Sequence, residues 1–133
     1  MLKLWLRYAH MVFGWLFLAS LVYQVYLIGL HLFAGTSTQA HIEFGYSWPG
    51  FLALLVVVSA IAARLPVGAI GWSAALLVDY IVQTFLPGFR GDSPQVAALH
   101  PVNALLLFWL AIVVIREARS FVPAPLGVAQ AEA

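Results

Sequence analysis

The chain has 133 residues, 64% of them hydrophobic and 8% charged, with a formal net charge of +1 and a mean hydropathy of +0.99. These values describe an integral membrane protein of one domain and leave no basic run able to follow a nucleic-acid backbone. With no cysteine, disulfides, thiolate zinc sites, iron–sulfur clusters and covalent c-type haem attachment are excluded, so any metal must use His, carboxylate, Met or backbone ligands.

Four apolar segments are predicted, at about 4–33, 40–63, 67–86 and 96–121. Each meets the roughly 20 residues needed to cross a hydrocarbon core. The first exceeds the roughly 15 apolar residues of a secretory signal core, and so reads as a span. Gly35 is expected to cap its C-terminus, with Thr36, Ser37 or Thr38 capping the second helix. Pro49 and Gly50 lie inside the second helix and are expected to bend it. Arg64-Leu65-Pro66 makes a tight turn into the third helix, Pro87-Gly88 ends that helix, and Ser93-Pro94 opens the fourth. Residues 122–133 are rich in Pro and Ala without periodicity and are expected to be disordered. Trp5, Trp48 and Trp72 fall near helix ends, as an aromatic belt would place them.

Lys3, Arg7, Arg64, Arg116 and Arg119 all fall on one side of a four-span hairpin, which the positive-inside rule assigns to the cytoplasm together with both termini. Arg90 is the exception. The predicted fold is therefore all-α, an antiparallel four-helix transmembrane bundle embedded in the lipid of a bacterial cytoplasmic membrane.

Ionisable groups within spans are costly and mark function. In the first segment His10, Gln24 and His31 are spaced by multiples of seven and share one slowly drifting stripe. His10 lies about 31 Å along the helix from His31 and is expected to be interfacial, or a ligand of a second site. In the second segment Gly45 is one turn from His41, with Ser59 further along the helix. In the third, Asp79 and Gln83 are one turn apart. In the fourth, Asn103 and Ala104 follow His100 by one turn. Four such stripes facing one another predict a polar, partly hollow interior. Asp79, midway through its span, is expected to hydrogen-bond a polar group such as Gln24 or Ser20, the alternative being a proton or substrate contact. Glu43 and Asp92 are expected at the outer surface.

His31, His41 and His100 are predicted at the same outer level. Segments two and four run in the same direction, and short connections place them diagonally, so that His41 and His100 face each other across the centre. Two opposed imidazoles suit the axial positions of haem b, with His41 and His100 as the metal ligands. Gly45 and Ala104 would leave room for a porphyrin edge, or else allow close helix approach. His31, from an adjacent helix, would touch the cofactor edge or its propionates. Arg90 would pair with a propionate or remain a solvated loop charge.

Residues 80–104 carry a more specific pattern. Tyr80-Ile81-Val82-Gln83-Thr84-Phe85-Leu86-Pro87-Gly88 ends the third segment, and Ala98-Leu99-His100-Pro101-Val102-Asn103-Ala104 opens the fourth. This half of the chain resembles one four-helix half of haem A synthase, and the layout of all four spans is similar. The chain also resembles a group of small four-span bacterial membrane proteins. The synthase resemblance implies that His41 and His100 are haem axial ligands and adds Gln83 to the candidate cofactor-binding residues. Thr38 and Ile42 stand where the synthase has Glu and Arg. Absence of that glutamate argues against hydroxylation of haem. Absence of a second half leaves a haem-holding scaffold or a homo-dimer.

The expected function is a b-type haem-binding membrane protein, not an enzyme on its own. It would transfer electrons or act as a small cytochrome-like subunit of a respiratory assembly, because two imidazoles fill both axial positions of the iron. Two alternatives remain: a copper or zinc site built from His31, His41 and His100, or a cofactor-free accessory subunit of a membrane complex.

Overall fold

The computed structural model describes residues 1–123. Of the tail expected to be disordered, residues 124–133 lie outside the described residues. In chain order the elements are α1 (Leu2–Ala34), α2 (Gln39–Ala62), α3 (Val67–Phe85), a 3₁₀ turn (Leu86–Arg90), the single-turn α4 (Pro94–Ala97) and α5 (Leu99–Ser120). Four helical stretches are long and apolar enough to cross a membrane: Leu2–Ala34, Gln39–Ala62, Val67–Arg90 and Pro94–Ser120.

Helix α1 packs on α2, α2 on α3, α3 on α5, and α5 back on α1, while the α1–α3 and α2–α5 diagonals make no close backbone approach. Side-chain pairings show that neighbours run antiparallel. His10 near the start of α1 meets Ser59 near the end of α2, and Tyr46 near the start of α2 reaches the Thr84 carbonyl near the end of α3. Gln83 near the end of α3 donates to the His100 carbonyl at the start of α5, while Trp72 near the start of α3 lies edge-on to Trp109 further along α5, their ring centres 5.8 Å apart. Helices α2 and α5 are thus parallel and diagonal. We call the end carrying the α1–α2 and α3–α5 connections the loop end.

Local chemistry explains the helix ends. Gly35 terminates α1 in the left-handed conformation, φ 67°, where glycine carries no Cβ penalty. Thr38 is the N-cap of α2, but the capping bond comes from its neighbour: Ser37 Oγ accepts the Gln39 N–H at 3.1 Å. Helix α2 ends in a Schellman motif, with Leu65 N–H on the Ala60 carbonyl and Arg64 N–H on the Ile61 carbonyl. This forces Arg64 to φ 52°, and Pro66 then blocks continuation of the helix.

Pro49 lies within α2, and the helix runs through it without a break. Proline has no N–H, so the Gly45 carbonyl four residues back loses its helical donor. The Tyr80 hydroxyl of α3 donates to that carbonyl at 2.8 Å. Gly50 makes the approach possible: a Cβ there would sit 2.7 Å from Tyr80 Cε1. The Pro49-Gly50 pair, expected to bend the helix, forms a notch that receives a side chain.

The interior is filled, which corrects the expectation of a partly hollow core. Phe17, Leu76 and Leu107 are fully buried mid-bundle with Val56, Ala53 and Ala111 packed among them. Ala60, Ala63, Leu65 and Ala69 form a second cluster at the other end. Small residues set the helix spacing, because lipid offers apolar side chains as good a home as a neighbouring helix does and close backbone approach decides association. A Cβ on Gly14 would lie 3.0 Å from Ile115 Cγ1, so α1 and α5 meet there at glycine distance. The buried hydroxyls of Ser20, Ser59 and Ser73 donate to carbonyls of their own helices, which satisfies their hydrogens locally; the Ser59 oxygen also meets His10 of α1.

Candidate functional site

His41 sits in the first turn of α2 and His100 is the second residue of α5, both half-buried at the loop end. Because those helices are diagonal and parallel, the two rings meet across the bundle. Their centroids are 6.4 Å apart and their planes stand at 80°.

Each imidazole is anchored by a backbone carbonyl on a different neighbouring helix. His41 Nδ1 is 3.1 Å from the Gln24 carbonyl of α1, and His100 Nδ1 is 3.1 Å from the Gln83 carbonyl of α3. A carbonyl only accepts, so each Nδ1 carries the hydrogen, and in that tautomer the lone pair is on Nε2, which on His100 faces the Gln83 amide. The Gln83 carbonyl is free for a reason legible in the chain: four residues on stands Pro87, which has no N–H to give it. His100 takes the bond that proline withholds.

Gln83 surrounds His100 on two sides. Its Nε2 donates to the His100 carbonyl at 3.0 Å and lies 3.5 Å from the His100 Nε2, at the outer limit of a hydrogen bond. Its Oε1 accepts from Asn103 Nδ2 at 3.0 Å, and that amide also reaches the Asp79 carbonyl at 3.5 Å. Gln83, Asn103 and His100 therefore form one polar unit joining α3 to α5. On the opposite side the Gln24 amide packs against Gly45, where any Cβ would collide with it. The space beside Gly45 holds a glutamine side chain.

The other sequence candidates lie apart from this pair. His31 is exposed, and its Nδ1 donates to the Thr36 carbonyl at 2.6 Å in the turn that ends α1. Arg90 is exposed on the 3₁₀ turn at the same end, and Ala104 is half-buried one turn beyond His100. Among the described residues no three His, Cys, Asp or Glu side chains gather as a metal ion would require, so the three-imidazole copper or zinc arrangement is not assembled. His10 points into the bundle. It is 1% exposed, with Nδ1 3.0 Å from the Val56 carbonyl and 3.2 Å from Ser59 Oγ, and it serves as a core polar contact between α1 and α2. The expected bond from Asp79 to Gln24 or Ser20 does not form. Asp79 Oδ2 and Gln24 Oε1 are both buried without a partner among the described residues, and Ser20 donates to Phe17 within its own helix at 2.6 Å.

The Gln24 carbonyl and Tyr80 were absent from the sequence candidates. Tyr80 had a readable signal in Pro49, which strips the donor from the Gly45 carbonyl. Gln24 had none, since its carbonyl belongs to an uninterrupted helix.

Comparison of the chain with protein-family models, with curated proteins and with solved structures finds no match.

His41 and His100 are the residues that would hold a flat metal cofactor at the loop end, their ring centres being 6.4 Å apart. Ligating histidines characteristically donate their second nitrogen to a carbonyl or carboxylate, which holds tautomer and ring orientation. Both rings do this.

Proposed function

We propose that the protein is a b-type haem-binding membrane protein in which His41 and His100 are the axial ligands. One observation carries this reading: the rings of two imidazoles on diagonal helices lie 6.4 Å apart, each with Nδ1 spent on a backbone carbonyl and the Nε2 lone pair available once the long Gln83 contact on His100 gives way. The resemblance of residues 80–104 to one half of haem A synthase supports the same assignment. With both axial positions taken by nitrogen, bound haem supplies one-electron transfer and offers no open site for oxygen. The chain would then be an electron carrier or a small cytochrome subunit of a respiratory assembly.

In this reading the Gln24 and Gln83 carbonyls hold the rings in register, the Gln83–Asn103 unit stiffens the His100 side, and exposed Arg90 meets a propionate. Lys3, Arg7, Arg64, Arg116 and Arg119 at the opposite end support an orientation with that end in the bacterial cytoplasm and the imidazole pair near the outer face. The deciding measurement is the absorbance spectrum of the purified protein, oxidised and reduced, after expression with ample haem. A low-spin b-type spectrum is expected. Protein that shows no Soret band, even after haem is added, overturns the reading.

A further inference from the structure

The α1–α2 and α3–α5 hairpins repeat one another about an axis running down the bundle. Each anchors its histidine on the carbonyl of a glutamine 17 residues earlier, Gln24 for His41 and Gln83 for His100. One offset of 59 residues relates the two pairs, from 24 to 83 and from 41 to 100. The same offset relates core positions buried in both halves: Phe17 and Leu76, Leu27 and Leu86, Val56 and Ile115. It also matches the turn after each histidine, pairing Phe44 with Asn103 and Gly45 with Ala104. Two equivalent frames thus face each other across the imidazole pair.

The two glutamine side chains are where the halves differ. Gln83 is held at both ends of its amide: Nε2 donates to the His100 carbonyl at 3.0 Å, and Oε1 accepts from Asn103 at 3.0 Å. Gln24 has no such holder. The position matching Asn103 is Phe44, whose ring stands edge-to-face with Tyr23 at 4.8 Å between centroids. The Gln24 amide is turned instead against Gly45, where a Cβ would collide with its Nε2. Its Oε1 is buried and meets no donor among the described residues, which is a costly state for a carbonyl oxygen. One glutamine is locked and satisfied; the other is loosely held over the turn beneath His41.

We propose that the Gln24 side chain is the gate of the imidazole site, closed in the present structure with its amide over Gly45, and open when that amide takes the arrangement of Gln83 and donates to the His41 carbonyl. Opening clears the turn beneath His41 for the edge of a flat macrocycle. The His41 anchor survives the movement, because it is the Gln24 backbone carbonyl and not the side chain that accepts from Nδ1. The His100 half is therefore ready for a ligand, and the His41 half is the one that adjusts. The identity of the ligand rests on the haem reading; the division of roles between the two glutamines rests on their different contacts.

The test titrates haem into full-length apoprotein of the wild type, Gln24→Ala, Gly45→Ala and the double variant, with the thermal midpoint of each apo form recorded to show that it is folded. A site that is competent only part of the time binds more weakly by that fraction. Gln24→Ala deletes the closed state, and Gly45→Ala excludes it by placing a Cβ where the amide lies, as Ala104 does in the other half. Each should tighten haem binding by about tenfold. The double variant should gain no more than the better single one, because both act through one side chain. Gln83→Ala, at the equivalent position, should weaken binding. Unchanged or weaker binding in folded Gln24→Ala or Gly45→Ala, or gains that add fully in the double variant, overturns the gate while wild-type binding leaves the haem reading in place. Haem taken up by neither the wild type nor any variant overturns both.

Discussion

Tyr80 donates its hydroxyl to the Gly45 carbonyl at 2.8 Å, across the α2–α3 interface, and that carbonyl is available because Pro49 cannot donate to it. The contact joins a helix defect to its repair. It also connects the packing of the bundle to the candidate site, since Gly45 is the residue against which the Gln24 amide rests.

Tyr80→Phe leaves the Gly45 carbonyl unsatisfied in apolar surroundings and should destabilise the bundle by about 1–2 kcal/mol. Pro49→Ala restores a backbone donor to the same carbonyl, so in that background the Tyr80→Phe cost should fall to less than half. Reversible unfolding in mixed detergent micelles, run as a double-mutant cycle, reads the coupling. Equal costs in both backgrounds would show that the hydroxyl is not replacing the missing helical bond.

On the proposed haem assignment, His41→Ala and His100→Ala should each abolish the low-spin spectrum, because either change would remove one of the two ligating nitrogens. His31→Ala should leave it intact, since His31 is turned to the Thr36 carbonyl within its own turn. Reduced-minus-oxidised difference spectra of the three variants check this. Loss of haem in His31→Ala with retention in His41→Ala would reassign the ligand.

Pro87→Ala supplies an N–H able to compete with His100 Nδ1 for the Gln83 carbonyl, and Gln83→Leu removes the amide that contacts His100 and Asn103. Each alters support around a ligand while sparing the ligand itself. Haem affinity should drop 10- to 100-fold, the usual range for such partners, with the spectrum still bis-imidazole. Haem titration of the apoprotein is the measurement. Wild-type affinity in both variants would mean that the carbonyl and amide contacts do not orient the ring.

His10→Ala empties a fully enclosed position and removes the contacts to the Val56 carbonyl and Ser59. A cost of about 2–4 kcal/mol is expected from cavity and hydrogen bond together. Haem content per folded protein should not change, because His10 lies near the opposite end of α1 from Gln24, which anchors His41. Unfolding and haem stoichiometry measured on the same preparation separate the two effects; haem loss without destabilisation would tie His10 to the site.

Span positions, caps and topology were all readable along the chain because they depend on local properties. Apolar length sets the four spans, Gly35 and the Pro66 and Ser93-Pro94 turns set their ends, and short connections make α2 and α5 diagonal. His41 and His100 could be paired on those grounds alone. Which face of each helix turns inward was not readable. In a membrane both lipid and neighbouring helices are apolar, so the hydrophobic periodicity that marks the buried face of a soluble helix carries little information. Only tertiary packing sealed His10 in the core, turned His31 out onto its own terminal turn, filled the space beside Gly45 with the Gln24 amide and gave each imidazole its carbonyl. Helix azimuth decides all four, and it is set by glycine-sized contacts such as Gly14 on Ile115 and Gly50 on Tyr80 that no single segment specifies.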